Sequence, residues 1–245
     1  MAVSRASFSG RVLHNSHAQV VNGIGRSIVE GSYAVGAALP NDNELAERFR
    51  VSRTVLREAM KTLSAKGMVV ARARIGTRVT DRSKWNLFDA DVLFWHFDVG
   101  VDQAFLDHLC DMRLSFEPYA ARLAAAAANE EDKVILFEHA EAMRAARSDE
   151  EFAQADLRFH AALLDASKNP FMHSVGNLIE AALVTAFTLG SPADDPLRHS
   201  TSAAAHRRIA EAIAAGDAEA AAAAVEVVIR EGRTRVAERI LGLQE

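Results

Sequence analysis

Residues 40–57, Pro-Asn-Asp-Asn-Glu-Leu-Ala-Glu-Arg-Phe-Arg-Val-Ser-Arg-Thr-Val-Leu-Arg, are punctuated as two short helices joined by a tight turn. Asn41 can cap the first helix by accepting from its free backbone N–H groups, and Glu44, three residues on, can reach back to it. Leu45 and Phe49 then supply an apolar stripe. Ser52 is a second cap. Behind it Val55, Leu56, Ala59 and Leu63 keep helical spacing, while Arg53, Thr54 and Arg57 point elsewhere. The pattern predicts a helix-turn-helix whose second helix carries its cations at its N-terminal end. Such an end can enter the DNA major groove, where arginine donates two bonds to guanine.

Upstream, Val20 or Val21, Ile24 and Ile28 predict a helix from about His14 to Gly31, and residues 1–12, rich in Ser, Arg and Gly, predict a loose tail. Beyond Gly67, Met68-Val69-Val70-Ala71-Arg72 and Thr77-Arg78-Val79 flank a bend at Arg74-Ile75-Gly76, short and β-branched as in a two-stranded hairpin. Three helices and a hairpin over residues 13–82 make a winged helix. Arg72, Arg74 and Arg78 in the wing would face phosphates or the minor groove, adding affinity more than sequence choice.

The net charge of −5 is unevenly divided. Residues 1–82 hold 13 Lys+Arg against 6 Asp+Glu, and residues 83–245 hold 15 against 27. A basic head on an acidic body suits a DNA-binding domain joined to a domain with a different role. The single cysteine, Cys110, excludes an internal disulfide framework and reads as a small buried hydrophobe. The N-terminus lacks an apolar run of signal-peptide type, and no window approaches the roughly 18 apolar residues of a membrane span. A cytoplasmic protein with no membrane partner is expected.

Residues 83–97 are rich in aromatics, and Trp85, Phe88, Trp95 and Phe97 are expected to pack this connector onto one or both domains. From residue 98 to 242 the pattern is helical throughout. Phe105, Leu109, Met112, Phe116 and Leu123 form one stripe, residues 134–143 a second, and Phe152, Phe159 and Leu163 a third. Residues 175–189, then His206 with Ile209 and Ile213, then Val225, Val228 and Ile229 mark three more. The fold class is therefore mainly α: a winged helix-turn-helix followed by an antiparallel all-α bundle, in which alanine runs allow close packing.

The head's residues Leu39-Pro40, Glu44-Leu45-Ala46, Val51-Ser52-Arg53-Thr54, Leu56-Arg57-Glu58-Ala59, Leu63, Gly67 and Gly76-Thr77 together resemble the N-terminal domain of the GntR family of bacterial transcription factors. The resemblance implies DNA contacts by Arg53, Thr54, Arg57 and the wing glycine Gly76. Asn43, Ser52, Arg72 and Arg74 complete the expected DNA-facing set.

In the body, Asp156 and His160 stand one helical turn apart on a face shared with Phe152, Phe159 and Leu163. His206 shares a face with Ile209 and Ile213, Ser202 precedes it by one turn, and Arg235 and Arg113 lie near inward stripes. An acid, two imidazoles and arginines converging in a bundle suit a metal, an anionic ligand, or both. Asp111-x-Arg113-x-x-x-Glu117-Pro118, Asp156-x-x-Phe159-His160, Asn169-Pro170, His206-x-x-Ile209 and Gly216-Asp217 resemble the FCD domain of the FadR-type branch of the GntR family. That likeness implies ligation of a divalent metal ion, zinc or similar, by Asp156, His160 and His206. A further histidine is usual where this chain has Val228; His173 and His199 lie outside the motif. The connector Trp85-Asn86-x-x-Asp89-x-Asp91-Val92-Leu93-x-Trp95, with Thr234-Arg235, resembles the D-galactonate-repressor subgroup, which implies a sugar-acid effector. Arg113 and Arg235 could hold its carboxylate, with Asp156, His160, His206 and Ser202 bonding hydroxyls.

The expectation is a homodimeric regulator, a repressor bound to a double-stranded palindromic operator and released by a small carboxylate effector. Two rivals belong to other classes: a metal-dependent hydrolase built on Asp156, His160 and His206, and a DNA-bound scaffold whose helical body binds a protein.

Overall fold

The computed structural model describes residues 15–72, 75–100, 103–176 and 196–242. The chain divides into two compact units, residues 1–101 and 102–245.

The first unit begins with α1 (Ser16–Val29), capped by Asn15, whose buried face is Val20, Val21, Ile24 and Ile28. The helix pair follows as read from the sequence. Asn41 caps α2 (Asp42–Phe49) through the N–H groups of Asn43 and Glu44, and Glu44 returns a bond to the Asn41 N–H. Such a cap stabilises by about 1 kcal/mol. Arg50 ends α2 in the left-handed region at φ 55° and ψ 46°. Ser52 then caps α3 (Arg53–Ala65), which buries Leu56, Ala59 and Leu63.

Strands β1 (Val69–Arg72) and β2 (Gly76–Val79) form an antiparallel hairpin, with Val69 opposite Val79 and Arg72 opposite Gly76. Arg78 does not reach outward as expected: its guanidinium donates to the Gly36 carbonyl at 2.7 Å and fastens the wing to the turn before α2. Gly67, at φ +77°, admits no side chain, because a Cβ there would meet the Lys84 carbonyl oxygen at 1.9 Å.

The aromatic stretch is no loose connector. It forms α4 (Ala90–Val99), capped by Asp89, and packs on α1, with the Trp95 indole N–H donating to Asn22 Oδ1 at 3.0 Å. Lys66 bridges to Asp89 at 2.6 Å and to Asp91 at 3.0 Å. Trp85 and Trp95 are buried as expected, but Phe88 is 62% exposed and does not join them. It precedes the Asp89 cap and so stays off the buried face of the helix.

The second unit contains α5 (Gln103–Ala127), α6 (Glu130–Ala145), α7 (Asp149–Ala166), α8 (Pro196–Ala214) and α9 (Ala218–Gly242). Connections of two or three residues after α5, α6 and α8 turn successive helices antiparallel. Helix α5 packs on α9 and α7, α6 on α7 and α8, and α8 on α9. Ala120, Ala121, Ala124, Ala221 and Ala222 have no exposure, so α5 and α9 approach closely. The buried stripe of α5 is not the one expected. Leu106, Leu109, Arg113, Glu117, Ala120 and Ala124 are buried, whereas Phe105, Met112, Phe116 and Leu123 are half-exposed. The helix turns a charged pair inward because that pair has partners there. The N-terminal tail, Arg74 and the helix expected to continue from residue 177 to 189 lie outside the described residues.

Candidate functional site

On the first unit, the start of α3 presents a free polar edge. Arg53, Thr54 and Arg57 are exposed within its first turn and a half, and Asn43 is exposed in the first turn of α2. Ser52 is exposed too, but its hydroxyl accepts from the Val55 N–H at 3.3 Å, so it contributes chiefly as the cap that aims the helix. Arg72 at the end of β1 and Gly76, at φ +90°, are exposed on the wing; Arg74 is outside the described residues. A helix N-terminus carrying unpaired N–H groups and two arginines attracts the phosphate backbone while its side chains reach base edges.

In the second unit, three residues far apart in sequence close on one point. Asp156 and His160 come from α7 and His206 from α8, all at most 4% exposed. His206 Nε2 lies 2.9 Å from Asp156 Oδ1, and the two imidazole Nε2 atoms are 3.4 Å apart. Asp156 Oδ2 and His160 Nδ1 are buried without an aligned hydrogen bond among the described residues. One ligand atom from each residue can be chosen so that all lie within 4.8 Å of one another.

The far side of each ring explains what faces the centre. His206 Nδ1 is 2.8 Å from the Ser202 carbonyl oxygen, which only accepts, so Nδ1 carries a proton and the ring turns its Nε2 edge to Asp156 and the centre. His160 Nδ1 lies 2.6 Å from Glu117 Oε2. Ser202 thus acts through its backbone. Two ring nitrogens and a carboxylate converging at these distances attract one another only around a proton or a metal cation. The donor set fits a divalent ion with positions left over.

Arg113 enters the site already engaged: its Nε donates to Glu117 Oε1 at 2.6 Å, and its Nη2 lies 3.4 Å from His160 Nε2. Burial pushes the Glu117 carboxyl up, but the Arg113 guanidinium and His160 outweigh it and hold it down to about 2. Burial likewise works against ionisation of Asp156, yet His206, His160 and Arg113 keep it below the usual aspartate range. Arg235 on α9 is different. It is half-buried, has no hydrogen bond or ion pair among the described residues, and feels Asp156 as its leading favourable charge. Burial lowers its pKa below the ordinary arginine value. Val228 is buried in the apolar core, and the other two histidines stand apart, His199 on the Met143 carbonyl and His173 against Asp165.

Residues 17–79 match the bacterial regulatory proteins of the gntR family, and residues 108–231 match the FCD domain. The chain belongs to the GntR family of regulators. It is 36% identical over 210 residues to an uncharacterized HTH-type transcriptional regulator, YieP, of Escherichia coli K12, covering 84% of this chain and 89% of that one. It is 30% identical over 228 residues to the galactonate operon transcriptional repressor of the same organism, covering 91% and 98%. Among solved structures, the Listeria monocytogenes regulator Lar, which controls expression of the agr system, superposes with a TM-score of 0.63 at 21% identity, covering 93% and 99%. That last likeness speaks for the fold.

GntR winged helices bind DNA operators and FCD domains bind small-molecule effectors, so this GntR chain is a ligand-responsive, DNA-binding transcriptional regulator and not an enzyme. Sequence reasoning left one residue out of the site. Glu117 was legible as the partner of Arg113 four residues earlier, but nothing in the linear spacing placed it against His160.

Proposed function

We propose that this regulator is a homodimeric repressor of sugar-acid catabolism that leaves a palindromic operator when a small hydroxy-carboxylate fills the FCD bundle. The observation carrying this reading is Arg235, a half-buried cation with no hydrogen bond or ion pair among the described residues, beside the Asp156, His160 and His206 centre. A guanidinium so placed suits a carboxylate, and the lone pairs beside it suit sugar hydroxyls or a bound cation. The identity to the galactonate operon repressor supports an aldonate as the effector.

A divalent ion such as zinc would be held by Asp156, His160 and His206, leaving its remaining positions to effector oxygens or water. When bound it supplies a Lewis-acidic centre for those oxygens. Arg113, paired with Glu117, serves the rim of this centre, while Arg235 takes the effector's charge. On DNA, Arg53, Thr54 and Arg57 read the major groove from the start of α3, with Asn43 beside them. Arg72 and the backbone at Gly76 follow the phosphates from the wing. A single recognition helix reads few base pairs, and a two-fold dimer doubles them. The protein works in the cytoplasm, where its operator is.

Thermal-shift measurements of the purified protein against a panel of aldonates, with and without EDTA, test the reading. An aldonate should raise Tm by several degrees, and Arg235→Gln should remove most of that rise. Stabilisation by no member of the panel would overturn the sugar-acid assignment.

A further inference from the structure

We propose that Glu117 is a positioning residue for the bundle centre: it holds His160 in the Nδ1–H tautomer, so that the Nε2 lone pair faces the point shared by His206 and Asp156. The inference rests on the reading of that point as the ligand site.

Glu117 has no solvent exposure, and its two oxygens face different partners. Oε1 accepts from Arg113 Nε at 2.6 Å, and Oε2 lies 2.6 Å from His160 Nδ1, a close contact set off the direction of the ring's N–H, at which two bare lone pairs would repel. An ionised carboxylate only accepts, so the ring nitrogen facing it must carry the proton. The other ring nitrogen, 3.4 Å from His206 Nε2, is then bare. His206 is oriented in the same way by the Ser202 carbonyl, at 2.8 Å. Both rings therefore turn Nε2 to the centre, one oriented by backbone and the other by a side chain. Only the second can be altered by substitution. Arg113 does something else. Its charge offsets that of Glu117, and its Nη2, 3.4 Å from His160 Nε2, gives that lone pair a donor.

The substitution Glu117→Gln separates this role from mere packing, because glutamine has the same shape but one accepting and one donating end. Arg113 can only donate, so the glutamine carbonyl must turn to Arg113 and its NH2 to His160. Nδ1 then has to accept, and the proton moves to Nε2, where it blocks any ligand.

The test uses the full-length chain with histidine labelled in 15N, stripped of metal by a chelator and held at a pH where the rings are neutral. Long-range proton–nitrogen correlation reads the tautomer of His160, assigned with His160→Gln. The wild-type protein should show Nδ1–H and Glu117→Gln should show Nε2–H. Cobalt(II) affinity, titrated by its visible absorption, should fall at least tenfold in the variant, the usual loss when a metal-ligating histidine is deprived of the acceptor behind it. Wild-type His160 in the Nε2–H form would overturn the proposal, and that measurement suffices if the variant does not fold. So would a variant that keeps Nδ1–H and binds cobalt as before. Failure of the wild-type protein to bind cobalt or any aldonate would instead overturn the ligand-site reading, with the tautomer still decided by the spectra.

Discussion

Trp95 lies so close to Gly25 that a Cβ at the glycine would meet the indole ring at 2.4 Å. Helix α4 is therefore seated on α1 through a contact with no room for even a methyl group. Gly25→Ala should destabilise the first unit by about 1–3 kcal/mol, the usual cost of overpacking. Urea denaturation measures it, and adding Trp95→Phe should recover part of the loss. A Gly25→Ala protein as stable as wild type would show that α4 can shift away without cost.

Arg57 is exposed on α3 behind the Ser52 cap, and no core residue depends on it. Arg57→Ala should leave Tm within about a degree of wild type while operator affinity falls by 1–3 kcal/mol, roughly 5- to 150-fold. The check is a gel-shift titration on a duplex selected from random sequence by the wild-type protein. Unchanged affinity would remove Arg57 from the reading face.

The buried acids make stability depend on pH. Glu117 titrates near 2 in the folded chain, below its ordinary 4.5. A depressed carboxyl stabilises fully above its unfolded value, and that contribution is lost as pH falls through the folded one. For Glu117 it is on the order of 3 kcal/mol, disappearing between about pH 4.5 and 2, and Asp156 acts in the same direction. Glu117→Gln should unfold more readily at pH 7 yet lose less stability between pH 7 and 3 than wild type does. Parallel acid limbs for the two proteins would contradict the Arg113–Glu117 pairing.

Val228 stands where metal-binding relatives of this fold are expected to carry another histidine, and it is 6% exposed in the core of the bundle. If Asp156, His160 and His206 form an incomplete ligand set, Val228→His should tighten zinc binding by at least tenfold, measured by competition with a chromogenic chelator. It should also lower the stability of the metal-free protein, since a polar ring replaces a packed aliphatic group. No gain in zinc affinity would mean that residue 228 does not face the centre.

Much of the first unit is local physics and could be read from the sequence alone. Asn41 with Glu44, and Ser52 with the Val55 N–H, act within three residues, and the buried positions Leu56, Ala59 and Leu63 follow from helical periodicity. The same holds for Asp156 and His160, one turn apart on α7. Tertiary structure decided what lies across helices. It turned Arg78 to the Gly36 carbonyl instead of outward, and it left Phe88 in solvent. It rotated α5 so that Arg113 and Glu117, not Phe116, face the core. Arg113 and His160 are 47 residues apart, and His160 and His206 are 46. Spacing within a helix says which side chains share a face, but which faces meet depends on how the helices pack. For that reason Glu117 could be read as the partner of Arg113, while its place behind His160 emerged only in the folded bundle.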